Sequence, residues 1–301
     1  MSESPSYLKM WKTGALRRLA ESAWSHLDTC DLCAHECRVN RHAGGKGFCR
    51  ADDTVQISGY GPHFGEEDVL VGIRGSGTIF FTGCNLRCVF CQNYDISQLR
   101  IGETVSPGEL AEIMTELQER GCHNINLVTP THYLPQILSA LDLACEAGLT
   151  LPLVWNCGGY ESLTALRLLD GIVDIYMPDV KFGNSETALR LTGVPHYWET
   201  VRSALLEMHR QVGDLKVDDQ GIAYRGLIIR HLVLPDNLAE TEAVLEFIAK
   251  KLSPNSYVNI MDQYHPAYRA QRYPPLDRYI TEKEYKQALE TAKRLGLKRL
   301  A

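Results

Sequence analysis

Residues 78–93 read Thr78-Ile79-Phe80-Phe81-Thr82-Gly83-Cys84-Asn85-Leu86-Arg87-Cys88-Val89-Phe90-Cys91-Gln92-Asn93. The run Thr78–Phe81 reads as a buried strand, and a cysteine-bearing loop follows it directly. Cys84, Cys88 and Cys91 are spaced C-x3-C-x2-C, with no fourth cysteine nearby. A structural zinc site needs four ligands in closed tetrahedral geometry. Three thiolates from one tight loop instead match one face of a [4Fe–4S] cube and leave one iron open for a substrate or cofactor. The end of a strand is also where α/β proteins build their sites.

Downstream the chain alternates. Ser106-Pro107-Gly108-Glu109 is a helix start, with Ser106 as cap, Pro107 in the first turn and Glu109 closing a capping box. Leu110, Ile113, Met114 and Leu117 then line one helical face. Strands are expected at Asn126–Val128, Leu151–Trp155, Ile172–Met177, Leu227–Val233 and Tyr257–Met261. Helices are expected between them at 135–147, 160–169, 196–212 and 239–252, and a last one over 281–295, where Thr281 and Glu284 form a second capping box. Six strand–helix units predict an α/β fold with a parallel sheet. Six is fewer than the eight of a closed barrel, so a partial barrel and an open sheet both fit. Residues 7–28 carry apolar positions at helical spacing, and 213–224 reads as a turn insertion.

With 31 Lys+Arg against 37 Asp+Glu, the net charge is −6, a poor basis for non-specific nucleic-acid binding. No apolar run is long enough for a membrane span, and no signal peptide is expected. Ten cysteines, seven of them in two groups, point to metal in a reducing cytoplasm rather than to disulfides. The second group is Cys30-x2-Cys33-x3-Cys37-x11-Cys49. Four thiolates close a zinc site or fully ligate a second [4Fe–4S] cluster, and spacing does not choose between them. Either metal explains how so core-poor a segment folds. Charges within 30–53 sum to zero, which gives no support to a nucleic-acid role.

The trio with Phe90 before its last cysteine resembles the radical S-adenosylmethionine (SAM) superfamily. The fuller stretch from Gly75 through Cys91-Gln92-Asn93-Tyr94-Asp95-Ile96-Ser97 is similar to the pyruvate formate-lyase activating enzymes. The resemblance implies a partial (β/α)6 radical SAM barrel over residues 61–301. Residues 1–60 would then be a small N-terminal helix plus four-cysteine metal-binding extension. It also implies an enzyme with two cofactors, a [4Fe–4S] cluster on Cys84, Cys88 and Cys91 and SAM on its open iron. Reductive cleavage then gives a 5′-deoxyadenosyl radical that abstracts hydrogen from a substrate. Glycyl-radical activation of a protein is one expectation. Because no ferredoxin-like insertion fits between Cys91 and Ser106, modification of a small molecule or peptide is the other. Outside enzymes, the alternative is a zinc-binding interaction module. The expected electron donor is a flavodoxin or ferredoxin, in the cytoplasm, without membrane or nucleic acid.

The SAM-binding expectations rest on the same resemblance. Thr129-Pro130-Thr131-His132 stands where many members carry Gly-Gly-Glu, a departure that leaves carbonyls and the Thr129 and Thr131 hydroxyls to accept the ammonium hydrogens. Asn156 is a polar contact before Gly158-Gly159, or part of an ordinary turn. Asp179 corresponds to a residue near the ribose or a bound cation, and Lys181 to one near the carboxylate. Arg230 interrupts an apolar strand and needs a partner, either the SAM carboxylate or a salt bridge. His265 matches a histidine placed near SAM, or caps a turn. The stretch His63-Phe64-Gly65-Glu66-Glu67 also resembles the subgroup and reads as a loop clasp.

Overall fold

The computed structural model describes residues 4–301. The chain opens with α1 (Ser6–Lys12) and α2 (Ala15–Ala23), where one helix over 7–28 is expected. Gly14 explains the break: it lies in the left-handed region, φ +67°, and caps α2. Residues 29–54, which hold four cysteines, contain no helix or strand. Then come β1 (Val55–His63), α3 (Asp68–Val71), β2 (Ser76–Phe81), α4 (Tyr94–Ser97), β3 (Glu103–Val105), α5 (Pro107–Glu119) and β4 (Ile125–Val128). They are followed by α6 (Leu134–Glu146), β5 (Leu153–Cys157), α7 (Leu163–Leu168), β6 (Ile175–Pro178), α8 (Ser185–Thr192) and α9 (Tyr197–Val212). The last elements are β7 (Lys216–Val217), β8 (Ala223–Leu232), α10 (Thr241–Phe247), β9 (Tyr257–Met261), α11 (Glu282–Arg294) and β10 (Arg299–Leu300).

The strands form one mixed sheet in the order β10-β9-β8-β6-β5-β4-β2-β1-β3, with β7 pairing onto β8. The six expected strands are β2, β4, β5, β6, β8 and β9, adjacent and parallel. The fold is therefore α/β, as the alternation predicts. The antiparallel pairs of β1 with β2 and with β3 are additions at one edge. The 213–224 insertion is a hairpin, β7 folding back on β8.

Both capping boxes form: Ser106 accepts from Glu109 N–H, and Thr281 does the same for Glu284. The expected inner stripe of α5, from Leu110 to Leu117, is buried. The main core lies between the sheet and its helices and includes Leu110, Met114, Ile137, Leu141, Trp155 and Leu205.

A smaller apolar cluster occupies the other face: Leu70 of α3 packs with Val154, Ile175, Met177, Leu215, Ala223 and Ile228. That face is concave. Glu66, three residues past β1, bonds Arg230 of β8 at 2.9 Å. Five strand spacings of about 4.8 Å would put them about 24 Å apart on a flat sheet. A single cavity of about 390 Å³ is nevertheless lined by His63 of β1, Phe80 of β2, Val128 of β4, Asn156 of β5, Arg230 of β8 and Met261 of β9, so the sheet curves around it, with α3 and its preceding loop lying across this face.

Candidate active site

At the C-terminal ends of the parallel strands lies a cavity of about 390 Å³, within the usual size of small-molecule sites. Cys84, Cys88 and Cys91 line it, together with Glu66, Thr129, Asn156, Asp179, Lys181 and Arg230. The β2–α4 loop carries the cysteines. Gly83 starts it at φ +82°, a conformation that residues with a Cβ rarely adopt. Leu86 N–H donates to Cys84 Sγ at 3.3 Å, and the Cys91 sulfur and Ser97 hydroxyl are 3.1 Å apart. Burial pushes the Cys84 thiol up, and it pushes Cys88 up to about 12 despite the nearby Lys181 charge. So dry a site disfavours bare thiolates, but a metal centre deprotonates such ligands outright. The three sulfurs share one cavity, and Cys84 Sγ accepts a main-chain hydrogen bond, so the donor set fits an iron–sulfur centre with an open corner. Among the described residues no three such ligands are drawn in to metal-binding positions.

Opposite the loop, charged groups interlock. Arg230 donates from Nε to Asp179 Oδ1 at 2.6 Å, from Nη1 to Glu66 Oε2 at 2.9 Å and from Nη2 to Asn156 Oδ1 at 2.8 Å. Lys181 Nζ donates to the other Asp179 oxygen at 2.8 Å. Burial opposes ionisation of Asp179, but Arg230 and Lys181 overcome it and hold its carboxyl at about 2. Glu66 is raised, because burial outweighs the attraction of Arg230. Glu67 accepts from Asn259 at 3.0 Å, and its second oxygen stands 4.0 Å from Arg230. The clasp reading of 63–67 thus has a geometry: two carboxylates cross the concave face and join β8 and β9.

The alternation of extended chain brings Asp179 and Lys181 together, as expected. Asn156, at the end of β5, faces the same cavity as Arg230. Every nitrogen of Arg230 already has a protein partner. Thr129 lines the cavity with φ +59°, and its N–H donates to Asn156 O at 2.8 Å. Thr131 does not line it. Its hydroxyl turns away to Glu161 at 2.8 Å, where burial raises the carboxyl to about 7. His132 is buried, bonded to Thr82 O at 2.8 Å and lowered by burial to about 3. His265 is exposed, 3.2 Å from Gln92, off the cavity wall. Gly158 makes its close approach to Leu86 of the cysteine loop, which a Cβ would meet at 2.7 Å.

Sequence reasoning misses two residues that support the site. Tyr197 accepts from Lys181 N–H at 2.9 Å, and its hydroxyl lies 3.3 Å from Asp179 O. His231, behind Arg230, bonds Val180 O at 2.7 Å and Thr241 Oγ1 at 2.9 Å. Together they fix the Asp179–Lys181 segment from behind. A polar residue inside an apolar strand marks His231; nothing marks Tyr197 at the start of a helix.

The radical SAM superfamily model matches residues 78–248, more than half of the chain, and that span holds the cysteine trio, Asp179, Lys181 and Arg230. The chain belongs to the radical SAM superfamily. It is therefore an enzyme of SAM-dependent radical chemistry, and membership implies a [4Fe–4S] cluster and SAM. An uncharacterized protein of Methanocaldococcus jannaschii, MJ0674, is 37% identical over 300 residues, covering 96% of this chain and 82% of that protein. A second uncharacterized protein of the same organism, MJ0808, is 24% identical, covering 82% and 73%. Among solved structures, Streptococcus suis SuiB bound to S-adenosylmethionine aligns at a TM-score of 0.45 and 12% identity, over 72% of this chain and 47% of that one. SuiB bound to its precursor peptide SuiA aligns at 0.46 and 11%, over 70% and 43%. These structural likenesses are too distant to carry an argument about this radical SAM protein. Among the described residues no helix is long and apolar enough to cross a membrane.

Proposed function

We propose that this radical SAM enzyme is of the activating-enzyme type, on a partial (β/α)6 barrel over residues 61–301, and that it abstracts hydrogen to install a glycyl radical on a protein. The observation that carries the hydrogen-abstraction reading is that Cys84, Cys88 and Cys91 share one cavity with Asp179, Lys181 and Arg230. The likeness of residues 75–97 to activating enzymes supports the glycyl target.

When bound, the cluster and SAM supply one electron and a 5′-deoxyadenosyl radical. Cys84, Cys88 and Cys91 hold the cluster. The residues around the cavity bind and orient. Lys181 and Arg230 supply positive charge for a carboxylate, and Asp179 and Asn156 supply acceptors for hydroxyl or ammonium hydrogens. Thr129 contributes its carbonyl and hydroxyl from just past β4, with Thr131 behind it and His265 at the rim beside Gln92. Phe80, Leu86 and Leu232 keep the walls apolar, which limits water at the reacting atoms. The electron donor is a flavodoxin or ferredoxin in a reducing cytoplasm, and neither membrane nor nucleic acid takes part. Cys30, Cys33, Cys37 and Cys49, within residues 1–60, hold a second metal, Zn2+ or [4Fe–4S].

A second reading, modification of a small molecule or peptide, is favoured by the chain path. Residues 91–106 run straight from the cysteine loop through α4 to the edge strand β3, with no inserted domain.

The test is anaerobic reconstitution, reduction and assay of 5′-deoxyadenosine from SAM. Production is expected; none from protein with a full cluster would overturn the reading. A glycyl-radical doublet on a partner protein supports the first substrate class, and label transfer into a small product supports the second.

A further inference from the structure

The two cysteine groups are in contact, and the residues that join them flank metal ligands. His35, between Cys33 and Cys37, donates from Nε2 to the carbonyl of Asn85, next to Cys84, at 2.9 Å. Its ring stacks on Phe48 with centroids 4.0 Å apart. Phe48, next to Cys49, accepts at its carbonyl from Arg87 at 2.7 Å, and the Arg87 guanidinium lies 4.1 Å over the Phe48 ring. Arg50, on the other side of Cys49, bonds the carbonyl of Gln98. The Cys49 carbonyl would lie 3.0 Å from any Cβ at position 83, the start of the cysteine loop.

The four-cysteine group also has the marks of a metal site. Phe48 N–H donates to Cys37 Sγ at 3.5 Å. Gly47 leaves the space this sulfur fills, since a Cβ there would come within 2.6 Å of it. Arg41 is only 1% exposed, and its hydrogen bonds run to the main-chain carbonyls of Asp52 and His132. A buried guanidinium needs a counter-charge. Arg41 lies inside the cysteine segment itself, between Cys37 and Cys49. Four thiolates around Zn2+ or a [4Fe–4S] cube carry a net charge of about −2 either way, which supplies it.

We infer that Cys30, Cys33, Cys37 and Cys49 hold a tetrathiolate metal centre whose task is to brace the loop of Cys84, Cys88 and Cys91 through His35, Phe48 and Arg50. This rests on the radical SAM reading of that loop. The segment has no regular backbone ladder of its own, so the metal sets where His35 and Phe48 stand. They set the main chain at Asn85 and Arg87, between the cluster ligands. His35 is thus a positioning residue, acting through Asn85.

The test uses the full chain, purified and reconstituted anaerobically, with metal and sulfide analysis and EPR of the reduced SAM cluster. Wild type is expected to hold about four irons plus either one zinc or about four further irons. His35→Ala, which leaves all seven cysteines, should keep both metals. It should also shift the EPR g-values of the SAM cluster and raise KM for SAM about tenfold, the size of one lost hydrogen bond. His35→Gln, whose amide can donate from a similar place, should restore both readouts. Iron for one cluster and no second metal would remove the centre while leaving the radical SAM reading intact. A zinc-only protein that makes no 5′-deoxyadenosine would overturn that reading and the brace with it, leaving only a tetrathiolate zinc site. Wild-type EPR and KM in His35→Ala would overturn the brace.

Discussion

The concave face of the sheet has two ends built from the same strands. At its floor, Val154, Ile175, Met177 and Ile228 pack around Leu70. Two residues further along, the same strands or their extensions present Asn156, Asp179 and Arg230. A step of two residues keeps the face and moves about 7 Å along the strand. In that distance the environment passes from dry packing to an ion-pair network beside three cysteines. The floor is held by burial, which is non-directional and tolerant of small shifts. The mouth is held by directed charge-assisted bonds, each with a named partner. Stability and chemistry therefore occupy different layers of one surface, and substitutions should separate them.

The largest separation is expected at the mouth. Cys88→Ala removes one sulfur from the trio and should abolish 5′-deoxyadenosine formation. The cluster-free variant should unfold within about 2 °C of cluster-free wild type, because no large apolar contact is lost. A retained turnover would break the comparison, as would a collapse of Tm.

At the floor the pattern reverses. Leu70 is fully buried, and Leu70→Ala should cost about 3 kcal/mol in urea unfolding. SAM cleavage per folded molecule should stay within about twofold, since the wall of the cavity is untouched. A loss of activity beyond the loss of folded protein would show that the layers are coupled.

Next in size is a pH effect behind the mouth. Burial lowers His231 to about 4, against an unfolded value of about 6.5. The folded state therefore prefers the neutral ring. Its stabilising share is complete above pH 6.5 and is lost as pH falls towards 4, because the unfolded chain takes up the proton first. The difference amounts to about 3 kcal/mol. Stability measured at pH 7 and at pH 4.5 should differ by about 2 kcal/mol less in His231→Gln than in wild type. Equal slopes would mean that the ring is charged in the fold.

Much of this was legible beforehand. The six parallel strands follow from apolar runs alternating with capped helices, and both capping boxes are local enough to read from four residues. Arg230 announces itself as a charge in an apolar strand. The crossing of Glu66 to Arg230 was not legible, because it depends on how far the sheet curves, which no local pattern records. Strand β3 was missed because it is short, exposed and polar, lacking the alternation of a half-buried strand. Helix α8 was missed although Asn184 caps it, since its stripe is only Ala188, Leu191 and Thr192. Thr131 and His265 were picked by position in a resemblance. Their side chains turn to Glu161 and Gln92, directions set by turns rather than by strand alternation.

The smallest expected effect tests whether either layer responds to a change outside both. Ser106 caps α5, accepting from Glu109 N–H at 3.2 Å while Glu109 accepts from Ser106 N–H at 2.7 Å. Ser106→Ala leaves an N-terminal donor of α5 without its side-chain acceptor and should cost about 1 kcal/mol, Ser106→Gly only a few tenths. Helix α5 packs on the opposite face from the cavity, against α6 and the main core. KM for SAM should therefore be unchanged in both variants, while the urea midpoint falls in the order wild type, Gly, Ala. If the Ala variant also raised KM, the mouth would depend on the general stability of the sheet. The division of labour along Val154–Asn156 and Ile228–Arg230 would then be one of degree only.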